Sequence, residues 1–197
     1  MDSGLYVIAD ILISETGAEA QALASSFLSD KAHYPSDAIT INAYFGSDAI
    51  IPVLEVCREY DKSAFVTVRR CSRSSIELQD LIAGDRVVYK VMADLAVHAG
   101  GRERGEYGYS RVCLSFGGAF PSDVRELRRR FEHTFLYLTS AFEGSKTLDD
   151  ADVAFDRYGR GAAIEYDKLL DTWLIGGDIS AHAKSLAEEC RKKIIIL

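Results

Sequence analysis

Leu5-Tyr6-Val7-Ile8-Ala9-Asp10 is a short apolar run that stops on an acid. Thr16–Asp30 follows it, with Ala20, Leu23, Ala24, Phe27 and Leu28 at helical spacing. The first run suits a buried strand and the second an amphipathic helix. The same strand-then-helix unit recurs along the chain. Ala38–Asn42, Ala64–Val68, Arg111–Phe116, Thr134–Leu138 and Gly161–Glu165 read as further strands. Helices are predicted from Ser47-Asp48 onward with Pro52 in the first turns, over Ser74–Leu81 and Asp85–Ala99, from Pro121 to Phe131, over Leu148–Tyr158 and over Ile179–Lys193. Ser74 and Glu77 have the spacing of a capping box.

Strands that alternate with helices pair in parallel, because each return needs a crossover. About six such units fit an open doubly wound sheet or most of an eight-unit barrel. The fold class expected is α/β, an incomplete (β/α) barrel of TIM type, with residues 1–197 forming one partial barrel domain.

Composition narrows the function. The chain has 197 residues, 48% of them hydrophobic, and a net charge of −7. That charge disfavours a phosphate backbone as partner, so no nucleic acid is expected. Arg125, Arg128, Arg129 and Arg130 are the densest basic group and read as a solvated helix face. No apolar run reaches the ~20 residues a membrane span needs, so no membrane is expected. The first residues lack a basic leader, which places the chain in the cytoplasm by expectation. Cys57, Cys71, Cys113 and Cys190 form no C-x-x-C pair and read as reduced thiols. His33, His98, His133 and His182 lack metal-ligand spacing, so no metal site is expected. No G-x-G-x-x-G follows the first strand, and no cofactor is expected.

Three stretches carry a resemblance. Ala38-Ile-Thr-Ile-Asn-Ala-Tyr-Phe-Gly-Ser-Asp48 looks like a strand ending in TVNPYLGSD. Residues 65–81 are similar to FVLVKTSNPSSxxLQDL. Gly159-Arg-Gly-Ala-Ala-Ile164 is similar to GRGAIV. In this order they resemble the orotidine 5′-phosphate decarboxylase family, particularly its longer form. Weaker echoes are Gly117-Gly-Ala-Phe-Pro121 and Phe135-Leu136 leading to Gly144. The resemblance implies a (β/α)8 barrel acting in pyrimidine biosynthesis, with orotidine monophosphate going to UMP plus CO2. It implies binding of a nucleotide monophosphate, and a homodimer formed across the strand-end face.

The same resemblance exposes departures. The family's D-x-K-x-x-D run falls on Asp10-Ile-Leu-Ile-Ser-Glu15, with Leu12 in the lysine's place. Asp10 and Glu15 are the candidate catalytic acids. With Leu12 in the lysine's place, the reading of both as plain strand-end and helix-start residues is favoured over catalysis. The implied ligand contacts are Asn42, Ser72, Gln79, Gly144 and Lys168. The base-reading Thr-Ser-Asn-Pro is replaced by Arg70-Cys71-Ser72-Arg73. Arg69, Arg70 and Arg73 make that loop cationic, either for an anionic ligand or as a solvated loop. Glu143 stands where the family has glutamine. Glu143 and Asp167 bring negative charge to the expected phosphate site. Lys168 restores one positive charge there without arginine's fork.

The chain starts at what resembles the family's third strand, so the units correspond to strands three to eight. A sheet of six strands does not close at the usual tilt. Its edges are expected to be covered by self-association, as a homo-oligomer, or by a partner chain. The leading functional reading is a divergent homologue without decarboxylase activity, in a non-catalytic or altered-ligand role. Its rivals are an active carboxy-lyase completed by a partner chain and a protein-docking module.

Overall fold

In the computed structural model, residues 6–70, 72–117, 121–139, 162–164 and 175–193 are described. Strand β1 spans Ile8–Ile13 and is followed by helix α1, Gly17–Leu28. Strand β2 is Ala38–Asn42; a 3-10 turn over Ala43–Phe45 leads into helix α2, Ser47–Glu59. Strand β3 is Ser63–Arg69, followed by the single-turn helix α3, Ser75–Leu78. A small antiparallel hairpin comes next, β4 (Ile82–Ala83) and β5 (Arg86–Val87), before helix α4, Val88–Gly100. Strand β6 (Val112–Phe116), helix α5 (Pro121–Arg130), strands β7 (Leu136–Leu138) and β8 (Ala162–Ile164) and helix α6 (Ile179–Lys193) complete the described elements.

The main sheet has the order β1-β2-β3-β6-β7-β8, and every pairing in it is parallel. Sequential parallel strands with crossover helices are the architecture of an incomplete (β/α) barrel, as the sequence pattern implied.

Side-chain alternation sorts the sheet into two faces. One face presents Ile39, Ile41, Val66, Leu114, Phe116, Leu136 and Leu138 to the helices. There α1 contributes Ala20, Ala24 and Leu28, and α2 contributes Ile50, Val53, Leu54 and Cys57, all buried. These helix residues recur every three or four positions, which is why the helices lie flat on the sheet. Helix α4 closes in through Ala93 and Ala96. A Cβ on its last residue, Gly100, would sit 2.7 Å from Val112 Cγ2.

The opposite face carries Ala38, Phe65 and Cys113, packed with Ile8, Phe135 and Tyr137. The Phe65 ring meets those of Phe135 and Tyr137 edge-on, at 6.2 and 5.6 Å. A cavity of about 590 Å³ opens beside them, lined by Tyr6, Ile8, Phe65, Tyr109, Cys113 and Phe135 among others. It lies toward the residues that begin the strands, the end opposite the one where barrel chemistry sits.

Several boundaries differ from the sequence reading. β1 runs on to Ile13 rather than stopping at Asp10, because it bulges. The Ser74 side chain makes no capping bond, and α3 is one turn rather than a helix to Leu81. Ser74 Oγ lies 3.2 Å from Ser72 Oγ instead. Residues 82–87 form the hairpin, with Gly84 at φ 70 in its turn, so α4 begins at Val88 and not Asp85. Arg128 is buried, not part of a solvated face. Its Nη1 donates to the Thr134 carbonyl at 2.8 Å. Arg130 forks onto Asp94 at 2.7 and 2.8 Å. The helix expected over Leu148–Tyr158 lies outside the described residues.

Candidate functional site

The site is built on the C-terminal ends of β1, β2, β3 and β6. On β2 the inner-face positions are Ala38, Thr40 and Asn42. In register with Asn42 is Thr67 on β3, in register with Thr67 is Ser115 on β6, and beside Ser115 is Tyr137 on β7. The inner face therefore changes along the strands from apolar to hydroxyl- and amide-bearing. Such a floor offers short donors and acceptors to a polar ligand.

The run Asp10–Glu15 sits at the head of this floor. Ala9 pairs with Ile39 and Ile13 with Ile41, so β1 advances four residues where β2 advances two. The excess is taken up by a bulge, and Leu12 adopts φ 47. A leucine in the left-handed region is strained, because its Cβ crowds the following carbonyl. The bulge is held by hydrogen bonds. The Leu12 amide donates to Thr40 Oγ1 at 2.8 Å, and the Thr40 hydroxyl donates to Asp10 Oδ1 at 2.8 Å. Ser14 Oγ donates to the Leu12 carbonyl at 3.1 Å, and the Ser14 amide donates to Glu15 Oε2 at 3.0 Å. Bulges next to sites re-aim side chains.

Asn42 is next to this run. Its Nδ2 donates to Ser14 Oγ at 3.5 Å, and its Oδ1 accepts the Tyr44 amide at 3.1 Å. Asp10, Leu12 and Asn42 are thus gathered by Thr40 and Ser14, with Glu15 beside them in sequence. Ser72 and Gln79 belong to the separate loop after β3. Gln79 Oε1 accepts the Arg70 amide at 2.8 Å, which ties the side chain to its own loop through that oxygen. Gly144 and Lys168 lie outside the described residues.

Two other lysines are engaged elsewhere. Lys62 pairs with Asp37 at 3.2 Å near the strand starts, and Lys90 pairs with Glu126 at 2.7 Å between α4 and α5. Among the described residues no group of His, Cys, Asp and Glu could hold a metal ion. No helix among them is long and apolar enough to cross a membrane.

Arg69, like Arg128, is placed otherwise than the sequence reading expected. It is 5% exposed, not a solvated cation. Its Nε and Nη2 fork onto Asp80 Oδ1 and Oδ2 at 2.8 and 3.0 Å, and Nη1 donates to the Gly117 carbonyl at 2.8 Å. The Tyr89 and Phe116 rings lie 5.8 and 5.7 Å from its guanidinium carbon. The hydrogen bonds from Arg69 hold the Asp80 carboxyl below the usual carboxylate range, against the pull of burial. The chain's own signal was that Arg69 directly continues the run Ala64–Val68, so that it ends the strand rather than opening the loop.

Comparison with known proteins places the chain. No family model matches it. An orotidine 5′-phosphate decarboxylase of Rhodopirellula baltica is 30% identical over 166 residues, covering 82% of this chain and 55% of that protein. One from Clostridium perfringens is 28% identical over 196 residues, covering 98% of this chain and 66% of that protein. The chain thus spans about half to two-thirds of the length of these two relatives. The structure of Leishmania donovani OMP decarboxylase superposes with a TM-score of 0.75 at 26% identity, covering 97% of this chain and 69% of that one. In sequence and in fold the chain is similar to the orotidine 5′-phosphate decarboxylases, the family its motifs resemble.

Proposed function

We propose that this chain is a non-decarboxylating relative that keeps a nucleotide-monophosphate site at its strand ends. The observation that carries the reading is Leu12. Removing CO2 from orotidine monophosphate leaves negative charge on the pyrimidine ring. A cation must offset that charge and a proton donor must quench it. Leucine does neither. Lys62 and Lys90 are held in ion pairs away from the strand ends. The acids alone would repel the developing charge. What the site retains is binding chemistry: Thr40, Asn42, Thr67 and Ser115 supply hydroxyl and amide groups on a rigid sheet. Gly144 and Lys168 are proposed to meet the phosphate.

The edges of the sheet belong to the same proposal. Among the described residues, β1 and β8 each pair on one side only. An apolar edge such as Ile8–Ile13 invites another strand. Additional strands, from self-association or from a partner chain, would close the barrel and cover the aromatic inner face.

A second reading keeps the reaction and takes its lysine from a partner. It is favoured by one observation, the Asp10 carboxylate held in place by Thr40. Titration calorimetry with uridine monophosphate tests the binding claim shared by both readings. Saturable heat is expected. Absence of heat at millimolar ligand would leave only the docking module.

A further inference from the structure

The loop after β3 leaves the sheet at Arg70 and returns at Gln79, whose carbonyl accepts the Tyr89 amide at 3.0 Å as α4 begins. It carries Ser72, Arg70 and Arg73, all exposed. Arg70 and Arg73 form no ion pair among the described residues. The two ends of this loop are tied to one another and to the next loop by a single side chain. Arg69 reaches Asp80 through two hydrogen bonds and Gly117 through a third. Its own carbonyl accepts the Gly117 amide at 2.7 Å. The loop after β3 and the loop after β6 therefore share one anchor, packed beside the adjacent rings of Tyr89 and Phe116.

We propose that Arg69 is a positioning residue: by clasping Asp80 and Gly117 it holds Ser72 and Arg73 in one arrangement at the strand ends, ready for an anionic ligand. This rests on reading the strand-end face as the ligand site. Three features support it. The Arg69 side chain is nearly buried while Asp80 is partly exposed, so the pair is screened less than one in open solvent. The contact is a planar fork, which fixes direction as well as distance. Gln79 Oε1 on the Arg70 amide adds a second tie between the loop's ends, so that only the stretch between them is left to move. A loop clasped at its base presents its tip groups at lower ordering cost when ligand arrives.

Trypsin supplies a ligand-free readout, because it cuts after Arg70 and Arg73. Asp80→Asn keeps the size of the side chain but removes the charge from the fork. Cleavage after Arg70 and Arg73 is expected to rise roughly tenfold in Asp80→Asn as the loop opens locally. Cleavage after Arg102 and Arg104, in the exposed loop between α4 and β6, is expected to stay at the unmodified rate. Arg69→Lys keeps charge without the fork and is the second variant, should Asp80→Asn fail to fold by circular dichroism. Its cleavage rate is expected to fall between those of the unmodified chain and Asp80→Asn. The affinity for uridine monophosphate, read by calorimetry, is expected to weaken by about tenfold in the variant that opens the loop. Unchanged cleavage after Arg70 and Arg73 in a folded variant would overturn the clasp. Equal acceleration at Arg102 and Arg104 would overturn it too, because the effect would then be general loosening. If the unmodified chain gives no heat with uridine monophosphate, the reading of the site fails, while the cleavage rates still decide the clasp by themselves.

Discussion

Asp10 and Thr40 are joined across β1 and β2 by a 2.8 Å hydrogen bond that runs from the threonine hydroxyl to the carboxylate. The same hydroxyl accepts the Leu12 amide at 2.8 Å, so Thr40 pins both ends of the bulge that carries the candidate site. Thr40 is 3% exposed, and its position in mid-strand makes it the fixed element.

Thr40→Val tests this arrangement with almost no change in shape. It leaves the Leu12 amide without its partner and removes one donor from Asp10. A loss of about 1–2 kcal/mol is expected, the cost of one unmet, partly buried hydrogen bond. Urea denaturation measures it, with the m-value expected to stay constant. A change below the error of that experiment would mean that the bulge is held by other contacts.

Leu12 tests the strain. At φ 47 it occupies a region that asparagine visits more readily than leucine, but at 36% exposed it keeps part of its side chain covered, and replacement gives up that burial. Relief of about 1–2 kcal/mol of strain is expected to exceed that loss slightly, leaving Leu12→Asn more stable by about 0.5 kcal/mol. Denaturation midpoints compare the two. Destabilisation beyond about 1 kcal/mol would show that the leucine side chain packs against something worth more than the strain.

Acid stability should follow Asp37 and Asp80. Asp37 accepts the Val7 amide at 2.9 Å and pairs with Lys62, and its carboxyl lies below the usual range chiefly because of that amide. The hydrogen bonds from Arg69 do the same for Asp80. A carboxyl with a depressed folded pKa contributes stability that is complete above its unfolded value and lost as pH falls through the folded one. The melting temperature is thus expected to be insensitive to these groups down to roughly pH 5 and to fall below about pH 4. In Asp37→Asn the fall should be shallower. An identical pH profile for the variant would remove Asp37 as a source of the acid sensitivity.

Much of the fold was legible because two periods alternate along the chain. Runs such as Ala38–Asn42 and Ala64–Val68 have no polar residue that forces an exposed face, and helices such as α1 repeat alanine and leucine every fourth position. What escaped the sequence depends on contacts between distant residues. Leu12 looked like a loop residue because nothing local announces the bulge that Thr40, 28 residues away, enforces. Arg69 and Arg128 looked solvated because their partners, Asp80, Gly117 and Thr134, are set by tertiary structure. The hairpin after α3 did leave a trace, since Gly84-Asp85 between Ala83 and Arg86 suits a two-residue turn. The structure gathers Asp10, Leu12 and Asn42, while Gln79 lies in the loop after β3 with its Oε1 on the Arg70 amide.

A hydrocarbon at position 12 should abolish decarboxylation while leaving binding in place. Release of CO2 from carboxyl-labelled orotidine monophosphate by the unmodified chain decides this, at a ligand concentration shown by calorimetry to saturate it. No release above the uncatalysed background is expected. Turnover in the ordinary enzymatic range, about 1–10³ per second, would show that Leu12 does not silence the site.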